Sequence, residues 1–487
     1  MKQEVAEPVP GAQRSLRVLL VSTADLGGGA ELSAWSLFQT YRRLGHKSWL
    51  AVGNKHTDDP NVVLLPPDDY RNPWARFWIR AGKTLEPLQD TVRGSTRIRD
   101  LFRWLGEPRR CFGNARGYED FDYPATQDLP KLADTCDLVH CYNLHGGYFD
   151  LRALEWLSRQ RPVVLDLRDA WLLSGHCAHS FDCERWKVGC GECPDLKIYP
   201  SIRRDATAFN WKRKQEIFSR SRLFVATPSQ WMMSKVMSSM LAPAILDSRV
   251  IPTGVDLTIF YPAEKSRVRS NLNIAQNTKV LLFAANGIRR NRWKDYPTMR
   301  AAVTLLAEQL RGETVLFLAL GETAPPEQIG PSAYLRFVPH LKNTAEVACY
   351  FQAADVYLHA AAADTFPRSV LEALACGTPV VATNVGGIPE QVRSVGTGTS
   401  GNGYSPTGIL VAPGDPESMA LAVKKLLTDE PLWQTLSANA VDDARNRFDV
   451  VKQAHSYLQW YTHLLDLQTD RHTRIINQAY KMSALSK

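Results

Sequence analysis
The chain has 487 residues, 44% of them apolar and 22% charged, a balance ordinary for a soluble globular protein with two or three substantial cores. No run of about 18 apolar residues occurs, which excludes a helix spanning a bilayer. A formal net charge of +8 permits a polyanionic or membrane partner without demanding one.

In chain order, residues 1–14 are expected to be disordered. They place acids and a proline where a secretory leader needs an apolar segment, so a cytoplasmic protein is expected. Leu16 to Ser22 reads as the first strand, followed by the glycine loop Ala24-Asp-Leu-Gly-Gly-Gly-Ala-Glu31 and a helix from about Leu32 to Leu44. Further strands are expected at Ser48 to Val52, Asp137 to Tyr142, Pro162 to Leu167 and Leu223 to Thr227. Prolines and glycines punctuate Leu241 to Pro262 and divide the chain at 245/246. A second series runs through Val280 to Ala284, Val315 to Leu320, Tyr334 to Val338, Val356 to His359, Pro379 to Ala382 and Ile409 to Val411. Strands alternating with helical patterns predict an α/β protein with two doubly wound parallel sheets, in domains 15–245 and 246–450. Ligands in such sheets bind beyond the carboxyl ends of the strands. Residues 451–487 close the chain, with Tyr457, Tyr461 and Leu464 at helical spacing.

The most informative stretch is Asp364-Thr-Phe-Pro-Arg-Ser-Val-Leu-Glu372, continuing into Ala-Leu-Ala-Cys-Gly-Thr-Pro-Val-Val-Ala382. Pro367 suits the first helical position and Gly377 the left-handed stop, so a helix is expected from about Pro367 to Cys376. Val370, Leu371, Leu374 and Ala375 share its core stripe, and Glu372 lies off that stripe near a helix start whose free N–H groups attract anions. The alternative is that Glu372 only pairs with Arg368 one turn earlier.

These residues resemble glycosyltransferase family 4, whose signature is two acids separated by seven, then Ala-x-Ala-x-Gly-x-Pro-Val-Val-Ala and Gly-Gly-x-x-Glu, here Gly386, Gly387 and Glu390. Asp364 stands where the family usually has Glu, one methylene shorter. Ile251-Pro-Thr-Gly-Val-Asp256 with Phe260, and Thr407-Gly-Ile-Leu-Val-Ala-Pro-Gly-Asp415, extend the resemblance. It implies the GT-B fold, with two Rossmann-like domains facing a cleft and a last helix crossing back to the first domain. It also implies a retaining enzyme that uses a nucleoside diphosphate sugar. By that resemblance Asp364 contacts the donor sugar, Glu372 holds the ribose, and Gly28, Gly29, Gly287, Phe366, Pro367 and Glu390 line the donor site.

Gly27-Gly28-Gly29 lacks the dinucleotide spacing and by itself fits a plain turn equally well; the resemblance assigns it to the donor pyrophosphate. Lys294, in Asn286-Gly-Ile-Arg-Arg-Asn-Arg-Trp-Lys294, matches the family's diphosphate-binding lysine. The arginine slot holds Ile288, with Arg289 the nearest substitute; without the rest of the pattern these are solvated loop charges. In Asp137-Leu-Val-His-Cys-Tyr-Asn-Leu-His145 the family's second histidine is replaced by Tyr142, leaving His140 and His145 as candidates near the reacting sugar.

Cys177, Cys183, Cys190 and Cys193 cluster with His176 and His179 in a knuckle at 176–194. In a reducing compartment they read as a structural zinc site, with free thiols or disulfides as alternatives. Arg71 to Arg116 mixes Trp74, Trp78 and Trp104 with an excess of arginine, and reads either as a surface for an anionic membrane or as a helical insertion with core aromatics.

The expectation is thus a glycosyltransferase acting on a saccharide or lipid-linked acceptor in surface polysaccharide assembly, cytoplasmic or peripheral at the inner membrane face. It requires no catalytic metal and no nucleic acid partner. An epimerase or phosphorylase on the same scaffold, or a non-catalytic subunit, are the alternatives.

Overall fold
A computed structural model describes residues 14–66, 68–85, 95–310, 312–396 and 405–485, with side chains given for all of these but 130 and 468–485. The expectation of disorder over 1–13 lies outside them.

The first domain is built on a seven-stranded parallel sheet. Its strands are β1 (Arg17–Ala24), β2 (Lys47–Asn54), β3 (Val62–Leu64), β4 (Leu138–Tyr142), β5 (Val163–Asp166), β6 (Leu223–Thr227) and β7 (Ile245–Val250), in the order β3-β2-β1-β4-β5-β6-β7. The central strands are apolar on both faces because helices cover both sides, which is why they read as continuous hydrophobic runs. β3 and β7 were not legible. β7 carries the sheet past the division expected at 245/246, and its Ile-Leu-Asp-Ser-Arg-Val sequence suits a half-exposed edge rather than a core.

The second sheet comprises β8 (Lys279–Ala284), β9 (Val315–Leu320), β10 (Glu327–Gln328), β11 (Ala333–Val338), β12 (Val356–His359), β13 (Val380–Thr383) and β14 (Gly408–Val411). Its order is β10-β11-β9-β8-β12-β13-β14, all parallel except the short edge strand β10. In both sheets the strand order reverses once, between β1 and β4 and between β8 and β12. The crevice at such a reversal is where doubly wound sheets accept ligands. The glycine loop and Asn143–His145 follow β1 and β4, and the Lys294 and Asp364 loops follow β8 and β12, so the sequence motifs converge on the two crevices.

The final helix, Val450–Leu485, returns to the first domain as expected. Ala454, Tyr457, Leu458, Trp460, Tyr461 and Leu464 join the core formed with Val18, Leu20, Phe38 and Tyr41. Tyr457 Oη donates to Asp166 at 2.9 Å and Trp460 Nε1 to Asp247 at 2.8 Å, so the helix is tied by polar bonds as well as by apolar burial. Gly254 permits the crossing: a Cβ there would lie 2.4 Å from the Val450 Cα.

Candidate functional site
The donor-side centre is held by main-chain pairing. Lys294 bridges antiparallel to Ala361, and Ala362 N donates to Trp293 O at 3.0 Å, so the basic loop and the acid loop are laid side by side. Lys294 Nζ forms an ion pair with the Asp364 carboxylate, the two side chains 14% and 17% exposed. His359 Nε2, at the end of β12, lies 3.2 Å from Lys294 Nζ and 3.3 Å from Asp364 Oδ2. Beneath it Tyr357 Oη is 3.1 Å from His359 Nδ1 and donates to Ser369 Oγ at 2.7 Å. Burial alone would raise the Asp364 carboxyl, yet the Lys294 ammonium and the His359 ring hold it well below the usual carboxylate range. Burial, then the neighbouring ammonium, pull His359 down to about 4, so the ring is neutral at pH 7.

Gly386 and Gly387 are required by this loop. A Cβ at either would fall about 2 Å from the carbonyl oxygen of Asp364 or Thr365, and Gly386 has φ +58°. The helix begins at Arg368, one residue later than expected, because Pro367 takes the extended N-cap conformation; its first N–H groups have no side-chain cap. Glu372 departs from its expected place. It is buried, one turn into the helix, and accepts from Arg368 Nε at 2.9 Å, while Arg368 Nη1 reaches Ser36 Oγ of the facing domain at 3.3 Å. Burial raises the Glu372 carboxyl against the opposing pull of Arg368.

Across the cleft the helix Gly29–Arg43 starts three residues earlier than expected, with Gly28 as an extended N-cap and no side-chain cap. Beside it His145 Nε2 lies 2.6 Å from Asp169 Oδ2, and Tyr199 Oη is 3.4 Å from Nδ1. Burial would lower this histidine, but the Asp169 carboxylate outweighs it and raises the pKa.

The other expected site residues have these surroundings. His140 is fully buried in β4 under the last helix and hydrogen-bonded to Tyr461. Phe366 packs on Phe448 within the second core. Glu390 accepts from Gln230 N and Trp231 N at 2.7 and 2.8 Å, capping the helix Gln230–Met237 of the first domain. Arg289, expected to take the arginine role, donates to Glu322 at 2.6 Å and lies over the Phe337 ring; Ile288 is buried in the core. Gly287 has φ +68° in the same turn. His359, Ser36, Asp169 and Tyr199 were not found by sequence reasoning; Arg368 entered it only as the alternative partner of Glu372 one turn earlier, and that pairing is present.

The four cysteines are free. Cys193 Sγ lies 3.3 Å from His176 Nε2, and Cys190 Sγ accepts the Gly175 N–H at 3.3 Å. Among the described residues no group of three or more His, Cys, Asp or Glu side chains is arranged to hold a metal ion. Cys190 and Cys193 thus each have a neighbouring polar group at their sulfur.

Residues 264–443 match the family described as Glycosyl transferases group 1. D-inositol 3-phosphate glycosyltransferase of Thermobispora bispora is 31% identical over 230 residues, 45% of this chain and 50% of that protein. The enzyme of that name from Streptosporangium roseum is 29% identical over 318 residues, 62% of this chain and 65% of the relative. The chain thus spans about half the length of the first curated relatives it matches. Among solved structures, HepE of Anabaena in complex with UDP-glucose aligns with a TM-score of 0.56 at 18% identity, over 93% of this chain and 99% of that one. WaaG, a glycosyltransferase involved in lipopolysaccharide biosynthesis, aligns at 0.54 and 16%, over 91% and 99%. These likenesses show the fold: two Rossmann-like domains as in GT-B glycosyltransferases.

Proposed function
We propose that the chain is a retaining glycosyltransferase that moves a sugar from a nucleoside diphosphate to a hydroxyl of a saccharide or lipid-linked acceptor in surface polysaccharide assembly. The observation that carries this reading is the placement of two chemical groups at the two sheet reversals: the Lys294–Asp364–His359 cluster on one side and the His145–Asp169 pair on the other. In this reading the uncapped helix starts at Gly29 and Arg368, with Lys294 and the amides of Gly28 and Gly29, stabilise the diphosphate as it gains charge. Fixed cations and amides supply that stabilisation, so the reaction requires no metal. Glu372 and Arg368 bind the ribose and phosphate, and Asp364 orients the donor sugar. His145, fixed by Asp169, faces the acceptor. The relatives named for D-inositol 3-phosphate and the neighbour holding UDP-glucose suggest the first probes.

A thermal-shift panel of UDP, GDP, ADP and their sugars tests the reading. A ligand at 100 times its dissociation constant adds about 2.7 kcal/mol of stability. If no nucleotide shifts the transition, a non-catalytic scaffold is the better account.

The enzyme works at the inner face of a membrane. What supports this is the insertion formed by the helices Pro73–Lys83, Ser95–Gly106 and Pro108–Ala115, where Trp74, Phe77, Leu101, Trp104 and Phe112 are each more than half exposed beside Arg80, Lys83, Arg103 and Arg109. Trp78 alone of the three tryptophans packs inward, against Phe102. A structural zinc on Cys177, Cys183, Cys190 and Cys193 rests on sequence spacing alone. Elemental analysis of protein purified without added metal decides it, zinc for and four titratable thiols without zinc against.

A further inference from the structure
The cysteine-rich segment reaches across the cleft to the loop that carries Lys294. The Phe181 ring stacks on Trp293 with centroids 5.3 Å apart and planes 7° from parallel, and Asp195 accepts from Arg292 Nη2 at 2.6 Å. Phe181 holds a left-handed φ of +46°, a conformation that residues other than glycine seldom adopt. His179 lies between the two sides. Its ring stacks on Trp231 of its own domain at 5.7 Å and 17°, and sits 5.9 Å from Trp293 of the other.

The tautomer of His179 follows from its backbone. Nδ1 accepts the Phe181 N–H at 3.1 Å, so Nδ1 carries no proton and Nε2 does. Among the described residues that buried Nε2–H has no hydrogen-bond partner. The fields of Asp364 on the donor side and Asp169 on the acceptor side both reach the ring, as does that of Lys235. A buried donor left without an acceptor is destabilising, and is accounted for when the acceptor arrives with a ligand.

We propose that His179 is a substrate-contacting residue, its Nε2–H donating to a sugar hydroxyl oxygen where the two substrates meet, and that the Phe181–Trp293 stack positions it there. The proposal rests on the glycosyltransferase reading, and its ligand chemistry belongs equally to the donor sugar and to the acceptor.

The test compares wild type with His179→Ala, His179→Gln and Phe181→Ala. It reads thermal stability, affinity for UDP and for UDP-glucose, UDP-glucose hydrolysis, and transfer to D-inositol 3-phosphate. His179→Ala is expected to keep UDP affinity and to lose about tenfold or more in kcat/KM for transfer, the loss expected from one hydrogen bond. His179→Gln, which retains a donor N–H, recovers much of it. Loss of UDP-glucose affinity and of hydrolysis assigns the contact to the donor sugar; loss of transfer alone, with acceptor KM raised, assigns it to the acceptor. Phe181→Ala reproduces the phenotype in milder form. Transfer by His179→Ala within about threefold of wild type overturns the inference, as does an equal loss of affinity for UDP itself, which marks a structural role. A wild type that binds neither UDP nor UDP-glucose while binding another nucleotide moves the same comparison to that donor; one that binds no nucleotide overturns the function reading and this inference with it.

Discussion

Lys294 and Asp364, 70 residues apart in the chain, form an ion pair at the reversal point of the second sheet. Each side chain is mostly buried, and the neutral His359 ring touches both. Both members of the pair are open to exchange with a ligand in the account proposed above. A diphosphate entering the crevice offers Lys294 a second anion, and the donor sugar offers Asp364 hydroxyl donors in exchange.

Replacing Lys294 with Ala is therefore expected to lower turnover by about a hundred- to a thousand-fold, the usual cost of losing one preorganised group that stabilises developing charge. It also leaves Asp364 with only His359, so a fall in stability of about 1–3 kcal/mol should accompany it. Transfer rate and urea midpoint, measured together, check both. A rate within about threefold of wild type makes Lys294 a structural partner of Asp364 only.

Glu372→Gln should weaken nucleotide binding by about 1.5–3 kcal/mol, the value of a charge-assisted bond. Stability should change little, because a Gln oxygen still accepts from Arg368 Nε. Calorimetric titration separates the cases. Unchanged affinity means that Glu372 serves only its partner at 2.9 Å, the alternative already visible in the spacing of the two residues.

The His145–Asp169 pair predicts a pH dependence with a definite sign. Its folded-state pKa is raised, so the pair contributes fully below the unfolded histidine value of about 6.5 and loses its contribution as pH rises through the raised folded value. Asp169→Asn should thus destabilise the protein more at pH 6 than at pH 9 in urea denaturation. A stability difference that does not vary with pH contradicts the pairing.

Why some of this was legible and some not follows from range. Interior parallel strands such as Leu223–Thr227 and Val356–His359 are apolar on both faces and declare themselves within five residues. The edge strands Val62–Leu64 and Ile245–Val250 are half exposed and too polar or short to do so. Within the site, Lys294, Asp364 and the glycines stand out because their chemistry or backbone freedom is local. The capping role of Glu390 was not legible because the two N–H groups it accepts from lie 160 and 159 residues away, on the other domain. The contact of Phe366 with Phe448 was not legible either, because the two lie far apart along the chain.

The insertion around Trp74 and Trp104 should bind vesicles containing anionic lipid, and the binding should weaken with salt, since exposed charges are screened within about 8 Å at physiological ionic strength. Sedimentation with neutral and anionic vesicles tests this. Equal recovery from both leaves the exposed aromatics without a membrane role.

The central claim is that the crevice above β8 and β12 binds a nucleoside diphosphate sugar through Lys294, and the most direct measurement is calorimetric titration of UDP, GDP, ADP and their glucose forms into wild type and Lys294→Ala. The account predicts one nucleotide that binds wild type with a single site and binds the variant more weakly. It is contradicted if no nucleotide binds wild type, or if the variant binds the same nucleotide with undiminished affinity and transfers sugar at the wild-type rate.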